Sequence, residues 1–265
     1  MKKLFTLLIL GVFVLTMPLM LTGCSRNSNT LIVATSLTWP PFGSMASNGS
    51  PVGIDILIAQ HLAAEMGKSL RINNGDFASV IAAMNTGGAH LGISSLSVTP
   101  ERAQSMMFSI PYHITGLALV TNSPVGTSNF DGMSVEQVKA NMTGVSVGTG
   151  GAAGVAALFV QDNGGIVNAV GTGTAINQLA TNSAAPFNYV LLDVSVVPQM
   201  TANFPNLRIV DTPLLTITEI AIALPLGNQA MLDQVNAILT EMKADGTLDA
   251  FFAQFDIRMD MSVPA

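Results

Sequence analysis

The chain has 265 residues, with ten Lys or Arg, sixteen Asp or Glu, and one cysteine. An acidic, Lys-poor surface excludes a nucleic-acid binder, because phosphate contacts need clustered cations, and a lone cysteine excludes an internal disulfide. The length allows a substantial core in one large domain or two smaller ones.

The first segment reads as an export leader. Lys2 and Lys3 precede an apolar run from Leu4 to Leu21, and Leu21-Thr22-Gly23-Cys24 follows. That tetrapeptide resembles the lipobox of bacterial lipoproteins, which implies cleavage after residue 23 and acylation of Cys24. The competing reading is an uncleaved transmembrane anchor. The small residues at the site and the polar stretch 25–30 favour cleavage. Loss of residues 1–23 removes two lysines and no acid, leaving eight basic residues against sixteen acidic, a net charge of −8.

Beyond the linker 24–30, strand-like and helix-like segments alternate, the pattern of an α/β fold. Leu31–Thr35 reads as a buried strand, Ile54–Met66 as an amphipathic helix that Gly67 terminates, Ser69–Asn73 as a strand, Phe77–Thr86 as a helix and His90–Ser94 as a strand. Residues 116–121 run extended. A second cycle has strands at 144–148, 166–170 and 188–192 and helices at 153–159 and 174–182. Short extended pieces follow at 207–210 and 217–224. Met231, Val235, Ile238 and Met242 share one helical face, Gly246 suits that helix's C-cap, and Leu248–Phe255 forms a last helix. The chain is expected to cross between two α/β units near 114–121 and to return near 214–222. The loop 123–129 carries no evident chemistry.

The chemistry concentrates at Ser94-Ser95-Leu96-Ser97-Val98-Thr99-Pro100-Glu101-Arg102. Thr99 is a good N-cap and Pro100 suits the first helical position. Free N–H groups at such a helix start attract an anion, and the Arg102 guanidinium matches a carboxylate in bidentate fashion. These residues alone fit a pocket for a small carboxylic acid and a plain capped helix start equally well. His61, His90 and His113 lack zinc-ligand spacing, no Lys-Ser/Thr follows the glycines at 148–151 to make a nucleotide loop, and no Gly-x-Ser-x-Gly elbow exists. Neither a metal nor a cofactor is expected.

With the segments placed, the chain resembles the extracellular solute-binding proteins that deliver polar amino acids to ABC importers. The resemblance runs from about Leu31 to Phe255. It rests on SSLSVTPERA followed by FSIPYH (94–103, 108–113), on the tail 235–255, and on Trp39-Pro40-Pro41-Phe42 followed by Gly53-Ile54-Asp55. It implies a two-lobed, periplasmic-binding-protein type II fold with a mixed sheet and flanking helices in each lobe and two hinge strands. The lobes would be 31–116 with 217–265, and 117–216. It further implies that Arg102 and the Ser97 N–H hold a ligand α-carboxylate, that the Ser95 carbonyl, the Ser97 hydroxyl and Asp193 hold the α-ammonium, and that Trp39 and Phe77 enclose the side chain. The turn Gly148-Thr149-Gly150-Gly151 matches a Gly-Thr-Thr turn whose amides touch the carboxylate. With glycine at 150, only the backbone contact carries over. Relatives that bind cationic amino acids have an acid where this chain has Ser36, so a neutral amino acid is expected.

The function implied is non-enzymatic: a monomeric, lipid-anchored, extracytoplasmic receptor that passes a free amino acid to ABC permease subunits. Two rivals remain. One is an exported cyclohexadienyl-type dehydratase on the same fold, for which Glu101 and Asp76 are weak acid candidates besides Asp193. The other is a surface sensor or adhesin, and no fused signalling or lytic domain is expected.

Overall fold

The computed structural model describes residues 29–152, 154–181 and 185–255. The expected leader, Cys24 and most of the linker lie outside the described residues. No helix among the described residues is long and apolar enough to cross a membrane.

In the first lobe the chain forms β1 (Thr30–Thr35), a small hairpin of β2 (Ser44–Met45) and β3 (Pro51–Val52), α1 (Ile54–Glu65), β4 (Ser69–Asn74), α2 (Phe77–Thr86), β5 (Leu91–Gly92), α3 (Pro100–Ala103) and β6 (Met106–Phe108). The long strand β7 (His113–Thr121) leads into the second lobe. There follow α4 (Val135–Asn141), β8 (Ser146–Thr149), α5 (Val155–Asp162), β9 (Ile166–Ala169), α6 (Thr172–Thr181), β10 (Tyr189–Asp193), α7 (Val197–Thr201) and β11 (Arg208–Ile209). The chain returns through β12 (Ile217–Ile220) to β13 (Ala223–Pro225), α8 (Gln229–Ala244) and α9 (Thr247–Ala253).

Each lobe is built on one mixed sheet. The first has strand order β4-β1-β5-β13-β6, and the second β11-β7-β10-β8-β9 with β12 beside β7. In the first, β1 lies between two parallel neighbours, β4 and β5, which explains its unbroken apolar run. The change of lobe falls within β7. Residues 113–116 pair with β12, whereas 117–120 pair with β10. Gly116 sits at the switch, where a β-carbon would come within 2.3 Å of the Thr216 carbonyl oxygen. Only a glycine lets the two connecting strands approach so closely.

Several expectations change. Residues 217–224 are not one extended run but two strands in different sheets. His90–Ser94 shrinks to two paired residues. The helix expected at 153–159 runs from Val155 to Asp162, and β6, α4 and α7 carried no recognised signal. Helix α1 is less one-sided than expected, because Asp55 is buried along with Ile54, Ile56, Ile58 and Leu62. Helix α8 ends at Ala244 with Asp245 as its cap, and Gly246 follows in the left-handed conformation. Its buried face is Val235, Ile238, Leu239 and Met242.

Candidate functional site

A cavity of about 750 Å³ lies between the lobes. Eight of the nine residues expected around a ligand line it: Ser36, Trp39, Phe77, Ser95, Ser97, Arg102, Gly150 and Asp193. The ninth, Thr149, is buried beneath, and its hydroxyl donates to the Gly151 carbonyl at 3.2 Å. It shapes the glycine turn rather than facing the cavity.

The first lobe presents side chains. Thr99 caps α3 by accepting from the Arg102 N–H at 3.3 Å, with Pro100 next to it. The helix is a single turn of four residues, too short for the anion-attracting start expected there. What the turn does is aim Arg102. The guanidinium lies 5.1 Å from the centre of the Phe77 ring, a cation–π distance, and its Nη1 donates to the Ser97 carbonyl at 2.9 Å. Phe77 opens α2, which Asp76 caps by accepting from the Ser79 N–H at 2.8 Å. On the strand-end loop, Ser36 donates its N–H to the Ser94 hydroxyl, and its own hydroxyl lies 3.0 Å from that of Thr38. Trp39 and Gly43 exchange backbone hydrogen bonds at 2.9 Å across the Pro40-Pro41 turn, which fixes where the indole emerges.

Behind this face lies a buried acid that the residue pattern did not single out as functional. Asp55 accepts from the Ser95 N–H at 2.9 Å and from the Tyr112 hydroxyl at 2.7 Å. Ser95 has φ of +46°, a left-handed conformation that a side chain makes costly. Among the described residues it is alone among non-glycines in this. The carboxylate thus holds a cleft residue in an otherwise unfavourable shape. Burial pushes the Asp55 pKa up to about 6, against the two hydrogen bonds that favour its ionised form. The buried hydroxyl of Tyr112 is pushed up as well, first by burial and then by the Asp55 charge.

The second lobe contributes one charged side chain. Asp193 ends β10, and its Oδ1 accepts from the Thr115 hydroxyl and from the Ser195 N–H at 2.8 Å. Ser195 in turn touches Thr115 at 2.9 Å and His113 Nε2 at 2.8 Å. A polar string therefore ties Asp193 to β7 at the lobe junction. Its acid also caps the 3-10 turn 194–196, so the capping role and the cleft position coexist. Part of its surface opens to the cavity while the rest is packed. Burial raises the Asp193 pKa, opposed by the hydrogen bonds from Thr115 and Ser195. Burial lowers that of Arg102 and brings the enclosed His113 down to about 4.

Arg102 and Asp193 share an unusual condition. The ion pairs among the described residues are Lys139–Glu136 and Arg208–Asp131, and neither cleft charge belongs to one. Burial shifts both toward the neutral form, and for Arg102 it outweighs the opposite pull of the neighbouring Glu101 charge. A guest carrying a carboxylate and an ammonium supplies both. No group of three or more His, Cys, Asp or Glu residues among those described is placed to hold a metal ion. Residues that the sequence reading did not place in the cleft include Thr38, Thr115, Thr172 and Thr218. Isolated threonines carry no motif, and only the fold gathers them.

The comparisons agree with this geometry. The sequence matches the family of bacterial extracellular solute-binding proteins, family 3, over residues 31–256. It is 25% identical over 229 residues to a putative ABC transporter arginine-binding protein 2 of Escherichia coli K12, covering 85% of this chain and 90% of that one. It is 27% identical to a probable histidine-binding protein of Neisseria gonorrhoeae, covering 84% and 81% respectively. Among solved structures, an ancestral arginine-binding protein bound to glutamine superposes with a TM-score of 0.73 at 28% identity, over 86% of this chain and 97% of that one. With the match spanning both lobes and the cleft between them, the chain belongs to the bacterial extracellular solute-binding proteins of family 3.

Proposed function

We propose that the protein captures a free amino acid outside the cytoplasm and presents it to the permease of an ABC importer. The observation that carries this reading is a pair of opposite charges, Arg102 from the first lobe and Asp193 from the second, facing one cavity and outside the ion pairs of the described residues. A dipolar guest meets both only when the lobes stand together, so it binds the closed form better than the open one, which is the only way a ligand shifts such an equilibrium. Residues 31–116 with 217–265 form one moving body and 117–216 the other, turning about the β7–β12 pair. In the bound state Arg102 and the Ser97 N–H take the α-carboxylate, joined by the amides at Gly150 and Gly151. The α-ammonium goes to Asp193, the Ser95 carbonyl and the Ser97 hydroxyl, and Trp39 and Phe77 flank the side chain.

The side chain is neutral. Ser36 and Thr38 offer hydroxyls at the cavity wall, no acid stands at position 36, and the carboxylate of Asp76, which also lines the cavity, keeps its charge but turns Oδ1 to the Ser79 N–H as the cap of α2. Export and acylation of Cys24 hold the receptor, a monomer, at the membrane beside its permease. A thermal-shift screen of the common amino acids, repeated on Arg102→Ala, tests the reading. Stabilisation by one neutral amino acid, lost in the variant, is the expected result, because a ligand that binds only the folded state raises its apparent stability. A dehydratase reading draws on the raised pKa of Asp193. Both groups on its Oδ1 are donors, however, which favours the acceptor carboxylate over a proton-giving acid. Turnover of a cyclohexadienyl acid by the purified protein would overturn the binding reading.

A further inference from the structure

Gly150 is exposed at the cleft, yet a side chain could begin there only if the Thr172 hydroxyl moved aside. A β-carbon at this position falls 2.3 Å from Oγ1 of Thr172 and 3.7 Å from Cζ3 of Trp39. The hydroxyl of Thr172 therefore fills the space in which the side chain of residue 150 starts. Thr172 is 8% exposed and lines the cavity. Its hydroxyl makes no hydrogen bond to any described residue. The residue is packed while its hydroxyl is left facing the cavity, so it is free to bond a guest there.

Thr172 also opens α6, a helix of ten residues with no acid in its first turn. Gly171, Gly173 and Thr174 line the same wall. The first N–H groups of a helix have no carbonyl one turn back to bond, and the positive end of the helix dipole lies there. Hydroxyl and amides together form a patch of donors. Such a patch receives an oxygen acceptor and disfavours a cation. The edge of the Trp39 ring reaches the same spot, so the acceptor lies beside the indole that flanks the guest's side chain.

We propose that Thr172 is a specificity-determining residue that donates a hydrogen bond to an oxygen on the ligand's side chain. The guest class is then a neutral amino acid whose side chain ends in a carboxamide, in preference to a cationic or purely apolar one. The inference rests on the amino-acid reading of the cleft, with the α-carboxylate on Arg102.

Isothermal titration of L-glutamine, L-norleucine and L-arginine into the protein and into Thr172→Val, Thr172→Ser and Arg102→Ala tests it. L-Glutamine should bind at least about tenfold more tightly than the other two, and Thr172→Val should weaken it by roughly five- to tenfold, the loss of one hydrogen bond. Norleucine affinity should stay within about twofold in the same variant, since norleucine offers no acceptor, and Thr172→Ser, which keeps the hydroxyl, should retain most of the glutamine affinity. Equal glutamine affinity in wild type and Thr172→Val, or tightest binding of arginine, overturns the proposal. Glutamine binding that vanishes in Arg102→Ala but ignores Thr172→Val overturns this inference alone. Binding indifferent to Arg102, or no amino-acid binding at all, overturns the reading beneath it as well.

Discussion

The two walls of the cleft are made differently. The first lobe meets the cavity with side chains: Arg102 laid on Phe77, Trp39 on its proline turn, and Ser95 pinned by a buried carboxylate. The second meets it with glycine turns and helix starts, at 150–151, 154–156 and 171–174, and with Asp193 as its charged group. A wall of side chains sets charge and is sensitive to single substitutions. A wall of backbone sets distance and direction, and a β-carbon added at Gly150 would displace the Thr172 hydroxyl. The contrast implies that affinity is dominated from one side and fit from the other.

The largest expected effect sits on the first wall. Arg102→Ala should weaken amino-acid binding by about 2–5 kcal/mol, the range for removing one member of a buried charge pair. Calorimetry reads this directly, and an unchanged dissociation constant removes Arg102 from the carboxylate role.

Next come two buried groups whose proton linkage runs in opposite directions. Asp55 is raised to about 6, so the folded state holds its proton over a range in which the unfolded chain has lost it. Its contribution to stability is full below the ordinary carboxylate pKa and is lost as pH rises through about 6, a change of about 3 kcal/mol. His113 is lowered to about 4, so the fold favours its neutral form. Its contribution is full above the ordinary imidazole pKa and is lost as pH falls toward about 4, also by about 3 kcal/mol. Between pH 4 and 6 the two largely cancel. Asp55→Asn should expose a stability that rises with pH across that window, measured by urea unfolding at several pH values. If its slope matches wild type, the buried carboxylate does not titrate as described.

A smaller effect belongs to the second lobe away from the cleft. Arg208 binds both oxygens of Asp131 at 2.9 and 2.7 Å and the carbonyls of Ser123 and Pro124. The loop 123–129 is thus stapled from below, and the Asp131 carboxyl is held well under the usual carboxylate range, chiefly by Arg208. Arg208→Met should cost about 1–2 kcal/mol of stability, given the charged hydrogen bonds removed, with ligand affinity unchanged. A parallel loss of affinity would show that the stapled loop reaches the cleft after all. Smallest in energy is the signal of Trp39. As the only tryptophan, it should change its fluorescence when ligand closes the cleft, and silence with a proven ligand places the indole elsewhere.

Much of this was legible in residue order. The Thr99-Pro100 cap, the face of α8, and the β–α alternation are short-range consequences of backbone sterics and periodicity, so nearby residues reveal them. Arg102 and Trp39 lie in the motif blocks that carry the family resemblance, and Phe77 and Asp193 were named by what that resemblance implies. The missed parts have a common cause. The run 217–224 looks continuous because every residue suits a strand, and only the partners in space divide it between two sheets. Loop 123–129 looked inert because its anchor lies some eighty residues further on. Asp55 entered only as part of the block Gly53-Ile54-Asp55, and its burial depends on where α1 packs.

By itself the sequence determined an acidic α/β chain with a guanidinium and a carboxylate in separate units and glycine where a hydroxyl side chain was expected. The acidity and the α/β order follow from composition and local pattern, in which each residue answers mainly to its neighbours, and the two charges and the glycine were picked out by the family resemblance. Only the tertiary structure decided that both charges face one cavity outside the ion pairs of the described residues, that Asp55 holds Ser95, and that the Thr172 hydroxyl occupies the space left by Gly150. Those depend on contacts between residues tens of positions apart, and burial and distance exist for such pairs only after the chain has folded.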